Sequence, residues 1–113
     1  MMEMIMASQT IARQYKEGAG VEIIFSNNGI VVGKACTVVY NSKPNAFLHG
    51  FEVKKQYRRN GYGTQILEYM IKNFDVEILY VDRNSEAISL YKRFGLEIIR
   101  MFDKNFIVMK RRR

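Results

Sequence analysis

Two stretches of helical period interrupt a chain that otherwise reads as short apolar strands. Residues 21–26 and 30–40 form the first clear pair, the second rich in valine, whose branched side chains suit a pleated backbone. Asn27-Asn28-Gly29 between them is a strong hairpin signal, because these residues accept the left-handed conformations a tight turn needs. Gly33 marks a bulge in the longer strand. Residues 41–45, with the only proline, read as a loop, and 47–53 as the next strand. Residues 63–74 carry the first long amphipathic helix, and 77–82 return to strand character. Asn84 then stands as an N-cap for a helix whose apolar face is Ala87, Ile88, Leu90, Tyr91 and Phe94. Gly95 is placed to end that helix in the left-handed conformation. Residues 97–102 and 105–110, joined at Asp103-Lys104, read as a final hairpin. At the other end, Ser8 is placed to cap a short helix through Tyr15 or Lys16, stopped by Gly18-Ala19-Gly20. The strand-helix-strand order predicts that 47–53 and 77–82 run parallel. The whole reads as an α/β (α+β) chain, a mixed central sheet flanked by helices, in one domain over 1–113.

Composition narrows the function classes. Apolar residues make up 48% of 113 positions, enough for a real core. The single cysteine, Cys36, excludes an internal disulfide, fits a reducing compartment and reads as buried filler in an apolar run. No apolar run approaches the ~20 residues of a membrane span. Glu3 stands where a signal peptide needs positive charge. The expected location is therefore cytoplasmic, with no membrane partner. One histidine, one cysteine and scattered acids give no metal-ligand spacing. A carboxylate pair or a nucleophile triad is equally unsupported. The net charge of +7 suits an anionic ligand. Part of it is the tail Lys110-Arg111-Arg112-Arg113, which reads as a solvated terminus or as a contact for nucleic acid or the ribosome.

The most informative segment is Arg58-Arg59-Asn60-Gly61-Tyr62-Gly63-Thr64, between a strand and the first long helix. Two glycines let the backbone approach a ligand closely. The unpaired N–H groups of the helix start face the same point, and the helix dipole favours negative charge there. Two arginines add to that field, so the matching ligand is a phosphate or pyrophosphate. A Walker loop would need Gly-x-x-x-x-Gly-Lys-Ser/Thr and a dinucleotide fingerprint Gly-x-Gly-x-x-Gly, and the segment is neither.

Arg-x-x-Gly-x-Gly resembles the acyl-CoA pyrophosphate loop of the GNAT superfamily of N-acetyltransferases. Residues 84–96 resemble the second signature of that superfamily, Asn-x-x-Ala-x-x-Leu-Tyr-x-x-x-Gly-Phe, with Leu96 in place of the final Phe. The two motifs stand in the right order, and the resemblance spans residues 46–110. It implies the acyl-CoA N-acyltransferase fold, acetyl-CoA as co-substrate and an amine acceptor. It also implies a cradle of Arg58, Arg59, Asn60, Gly61, Tyr62, Gly63 and Thr64, with contacts mostly through backbone N–H groups. The backbone of Phe51 and Val53 would hold the pantetheine arm much as an added strand would, and Asn84 and Tyr91 would complete the cofactor site. Tyr91 matches the tyrosine that points at the CoA sulfur, which makes it the proton donor to the leaving thiolate. Family members carry two helices between their first two strands. Too little chain precedes residue 21 to hold these, so a shortened N-terminal region is expected, with the acceptor side open or completed by a second subunit.

The base is less sharply marked. Histone acetyltransferases and ribosomal-protein alanine acetyltransferases, two branches of the superfamily, carry glutamates at the positions of Phe47 and Leu79, and both are apolar here. Residues 48–53 resemble the serotonin N-acetyltransferase branch, in which a histidine aligned with His49 lies on the proton path. His49, Glu52 and ordered water remain the candidates. The leading expectation is direct acetyl transfer in a ternary complex, with a protein or peptide amine favoured over a small cation by the basic surface. A CoA-binding module without turnover and a nucleic-acid-associated protein acting through the basic tail are the competing readings.

Overall fold

The computed structural model describes residues 2–5, 10–17, 20–40 and 43–111. Helix α1 (Tyr62–Phe74) forms because Ile66, Leu67, Met70 and Phe74 recur at helical spacing and bury one stripe. It ends at Asp75, whose backbone is left-handed (φ 51°) and whose N–H donates to Ile71 at 3.0 Å. The stripe packs on a sheet built from β1 (Met2–Ile5), β2 (Thr10–Glu17), β3 (Gly20–Asn27), β4 (Ile30–Tyr40), β5 (Lys43–Val53), β6 (Ile78–Asp82), β7 (Leu96–Met101) and β8 (Phe106–Arg111). Among the described residues the order is β1-β2-β3-β4-β5-β6-β8-β7. Among the described strands only β5 and β6 pair in parallel, as strand-helix-strand connectivity demands. Ile23, Phe25, Val32, Ala35 and Leu48 face α1 from the sheet, and the Phe25 ring meets Tyr69 edge-on at 5.5 Å. Full burial of each of the larger side chains, Ile23, Phe25, Val32 and Leu48, contributes about 2 kcal/mol. A second, shorter helix, α2 (Ala87–Arg93), lies on the same side, with Tyr91 buried and Leu90 beside the start of α1.

Several expected elements are confirmed. Asn28 and Gly29 both take positive φ (52° and 79°) in the β3–β4 turn. Gly95 closes α2 at φ 88°. The bulge expected at Gly33 appears beside it: Phe25 pairs with Gly33 and Ser26 with Val31, so Val32 is the extra residue. Gly33 itself is required for space, because a Cβ there would lie 2.4 Å from the Glu52 carbonyl oxygen and 2.8 Å from Ile66 Cδ1.

Four expectations are corrected. The helix expected from Ser8 to Tyr15 or Lys16 is instead strand β2 where it is described, while Ser8 lies outside the described residues. Ala12 is buried opposite Phe25, and Glu17 pairs with Gly20, so tertiary pairing overrides the local capping signal. Residues 43–45, expected in a loop, belong to β5, and Pro44 pairs with Val39. A proline is tolerated there because β6 first meets β5 at Phe47, leaving one edge of β5 without a partner strand. The α2 cap falls on Ser85 rather than Asn84: Ser85 Oγ accepts from the Ala87 N–H at 3.1 Å, while the Asn84 N–H donates to Asp82 Oδ1 at 2.8 Å. Cys36 is half-buried rather than core filler, since Ala35 and Thr37 take the inward positions of β4. Its thiol donates to Glu22 Oε2 at 3.9 Å.

No helix precedes β3 among the described residues. The consequence is one covered and one bare face. Pairing places Tyr15, Glu22, Cys36 and His49 in one row across β2–β5, turned away from both helices. Lys110 and Arg111 of the basic tail are built into β8, where Arg111 is ion-paired with Asp75; residues 112–113 lie outside the described residues. Among the described residues no helix is long and apolar enough to cross a membrane.

Substituting Gly33→Ala should cost about 1–3 kcal/mol of unfolding free energy, because the new methyl meets rigid backbone. Urea denaturation monitored by circular dichroism checks it.

Candidate functional site

β5 and β6 pair only at Phe47–Ile78 and Leu48–Leu79. Beyond Leu48 they part. The cause is local: β5 bulges against β4, whose Cys36 pairs with His49 and Lys34 with Glu52, so two β5 residues face one β4 residue. Gly50 within the bulge takes φ 62°. A Cβ there would also sit 3.2 Å from Cys36 Sγ. Only glycine meets both demands comfortably.

The chain leaving the parted end of β5 makes one 3₁₀ turn at Lys55–Tyr57 and enters the predicted cradle. Three features shape it. Arg58 Nε donates to the Val53 carbonyl at 3.0 Å, tying the loop to the strand end. The Asn60 amide donates to the Tyr57 and Arg58 carbonyls at 3.1 and 3.2 Å. Arg59 takes φ 67°, a strained conformation for a non-glycine residue. Gly61 is then the N-cap of α1 at φ 82°, and no side chain caps the helix start. The first turn contains no acid. Its N–H groups, having no acceptor within the helix, are left for an external anion.

A groove of about 900 Å³ opens at this point. On the β5 side it is bordered by Phe51, Glu52 and Val53, and on the loop side by Arg58, Arg59, Gly61, Gly63 and Thr64. Gly63 keeps the helix start close-packed, since its Cβ would be 3.3 Å from Leu90 Cδ2. Phe51 and Val53 turn their side chains into the core, so strand alternation turns the exposed Glu52 side chain the other way.

The remaining predicted residues lie off the groove wall. Asn60 serves the loop backbone, Tyr62 packs half-buried against the core, and Asn84 is exposed in the turn before α2. Tyr91 is buried behind Phe51, ring centroids 5.7 Å apart, and burial pushes its hydroxyl up to about 12. His49 is exposed on the bare face, its ring 5.8 Å from Phe47. Phe47 in turn meets Tyr80 edge-on at 5.3 Å, and Tyr80 stacks on Phe102 at 4.9 Å. This aromatic group flanks the parting strands on the face opposite the helices.

Six groove residues were missed in sequence: Ser85, Glu86, Ala87, Ser89, Leu90 and Arg93, so one further carboxylate as well as one further guanidinium stands on the wall. The signal was present. Ser89 and Arg93 are four apart and so share one side of α2, beside its buried stripe, and Ser85 precedes the helix at the same spacing. Arg93 adds a third guanidinium to those of Arg58 and Arg59.

Comparison with known proteins agrees with this geometry. The model of the acetyltransferase (GNAT) family matches residues 5–96. The probable N-acetyltransferase san of Drosophila melanogaster is 36% identical over 81 residues, which cover 64% of this chain. The match spans 44% of that protein, less than half its length. Among solved structures, the ribosomal-protein-S18-alanine N-acetyltransferase of Escherichia coli superposes with a TM-score of 0.66 at 22% identity, covering 85% of this chain and 70% of that one. The PaiA N-acetyltransferase of Thermoplasma acidophilum, solved with coenzyme A, gives 0.63 at 15% identity, covering 84% and 62%. These two likenesses speak for the fold, and the family match covers most of the sequence. The chain belongs to the GNAT family of acetyltransferases.

Proposed function

We propose that this chain transfers an acetyl group from acetyl-CoA to a primary amine, directly within a ternary complex. The observation that carries the reading is the uncapped, acid-free start of α1, opening beside the point where β5 and β6 part. The residues present fit the cofactor. First-turn N–H groups and three arginines suit a pyrophosphate, and the open backbone edge of β5 at Phe51–Val53 suits an extended amide-bearing arm. When bound, acetyl-CoA supplies an activated acetyl thioester.

The chain's own groups then divide the work. Arg58 holds the loop against Val53, while Arg59 and Arg93 add positive potential. The acceptor amine approaches from the bare face, where His49 stands next to the aromatic group and is the leading candidate to take its proton; Glu52, on the groove wall, and ordered water are the alternatives. Tyr91 stays protonated at neutral pH, which suits a hydrogen-bond donor to the leaving sulfur and excludes service as a base. The net charge of +7 disfavours small cationic acceptors and favours an amine on a protein or peptide. A second reading, a CoA-binding module without turnover, draws on one observation: Tyr91 and His49 both lie off the groove wall. An acetyl-transfer assay on a panel of peptides and polyamines separates the two. Thiol release that depends on a peptide amine supports the enzyme, and cofactor binding without release against every amine supports the module.

Tyr91→Phe should lower kcat by about 100-fold or more while leaving cofactor affinity unchanged. Equal turnover would remove Tyr91 from the mechanism. The same variant has a pH signature. Because burial raises this hydroxyl from 10.0 to about 12, the unfolded chain releases the proton first as pH climbs through that window. The stability held below pH 10 is therefore lost progressively up to about pH 12, by roughly 2–3 kcal/mol. Tyr91→Phe should flatten that alkaline loss in denaturation curves.

Arg59→Gly should relieve the left-handed strain and gain about 0.5–1 kcal/mol of stability. It should also weaken cofactor binding by roughly threefold to tenfold and reduce its salt dependence. Thermal melting and calorimetry on the one variant check both signs.

A further inference from the structure

Among the described residues β7 ends the sheet, with one edge paired to β8 and the other facing no strand. Its sequence, Leu96-Glu97-Ile98-Ile99-Arg100-Met101, has neither lysine nor proline, so its two charges and a bulge are what restrict which strand can pair there. Three large apolar side chains stand exposed on it: Ile98 at 47%, Ile99 at 50% and Met101 at 49%. The segment is also self-complementary. Read from either end it runs apolar, charged, isoleucine, and the two charges have opposite sign.

A regular strand could not use this symmetry, because Glu97 and Arg100 are three apart and would point to opposite faces. The bulge changes that. Ile98 pairs with Met109 and Arg100 with Val108, leaving Ile99 outside the pairing. Glu97 pairs with Lys110, which pairs with Ile78, while Arg100 pairs with Val108, which pairs with Tyr80. Ile78 and Tyr80 are two apart on β6, so Glu97 and Arg100 share the bare face. Leu96, Ile98 and Met101 share the helix face.

We propose that β7 is a docking edge for a second copy of this chain, joined antiparallel about a twofold axis perpendicular to the sheet. In this register Glu97 lies opposite Arg100 of the second copy, twice by symmetry. Ile98 lies opposite Ile99, and Leu96 opposite Met101. Acid then meets base on the bare face and Leu96 meets Met101 on the helix face, with the bulged Ile99 at the axis between them. Glu97 sits between Lys110 of its own chain and Arg100 of the other. Promiscuous strands are rejected, because a partner without the matching bulge would bring its charge to the wrong face. The axis places both cofactor grooves on the same side of one continuous sheet.

The test is sedimentation velocity of the full chain over roughly 1–200 μM, the range for a small edge-to-edge interface. A concentration-dependent dimer is expected. Glu97→Arg and Arg100→Glu should each raise the dimer Kd at least about tenfold, since each sets like charges opposite one another. The double exchange Glu97→Arg/Arg100→Glu should return it to within about threefold of the original. Both positions are exposed, and circular dichroism confirms that each variant is folded. A monomer across the whole range overturns the proposal. So does a dimer indifferent to the single exchanges, or a double variant as weak as either single one.

Discussion

β5 cannot stay beside β6 beyond Leu48, and the geometry of the site depends on that divergence. Gly50 takes a left-handed backbone inside a bulge, and a side chain there would strike Cys36. The bulge bends β5 away, freeing one of its edges over Phe51–Val53. It also carries the strand end to where Arg58 can clamp the Val53 carbonyl and lead the chain into the start of α1. A pleated ladder carried on between the two strands would close the notch. The loop glycines and arginines would then form a turn with nothing to face.

That divergence separates the labours of the two sheet faces. One face is packed by α1 and α2 and supplies the fold's cohesion through Phe25, Leu48, Ile66, Leu67 and Met70. The other, bare of helix among the described residues, presents His49, Glu22, Cys36 and the Phe47–Tyr80–Phe102 group. Strain collects at the seam. Arg59 and Gly61 both take positive φ within three residues, and the first turn of α1 gives up a side-chain cap. A helix built for stability would carry serine or aspartate at position 61 and an acid soon after. Their absence costs folding free energy and leaves the N–H groups for a ligand.

Much of the frame was legible because local signals and tertiary packing agree there. The Asn28-Gly29 turn, the α1 stripe and the Gly95 stop each have a single physical solution. The turn into α1 was legible for the same reason, since Gly61 takes φ 82° and Gly63 leaves room for Leu90. What failed was decided by distant partners. Residues 10–17 carry a plausible cap and stop for a helix, but Ala12 is worth more against Phe25 in a strand. Pro44 suggested a loop, and only the staggered start of β6 explains its place in β5. The capping oxygen at α2 is that of Ser85, while Asn84 lies in the Asp82 turn before it, a one-residue shift set by that turn. The groove side of α2 went unread since nothing local says that Ser89 and Arg93 face a loop over twenty residues away. Tyr91 was legible as a position but not as a depth, its burial behind Phe51 being a property of packing alone.

The central claim is that the start of α1 is kept uncapped to receive an anion, and Thr64→Glu tests it most directly. Position 64 is the third residue of the helix after Gly61, where an acid complements the dipole and strengthens the helix. Calorimetric titration with acetyl-CoA, beside a thermal melt, reads both effects at once. The account predicts a melting temperature equal to or above that of the parent chain and an affinity reduced by about tenfold or more, as carboxylate and pyrophosphate compete for the same N–H groups. A variant that is equally stable and binds acetyl-CoA as well as the parent would contradict it.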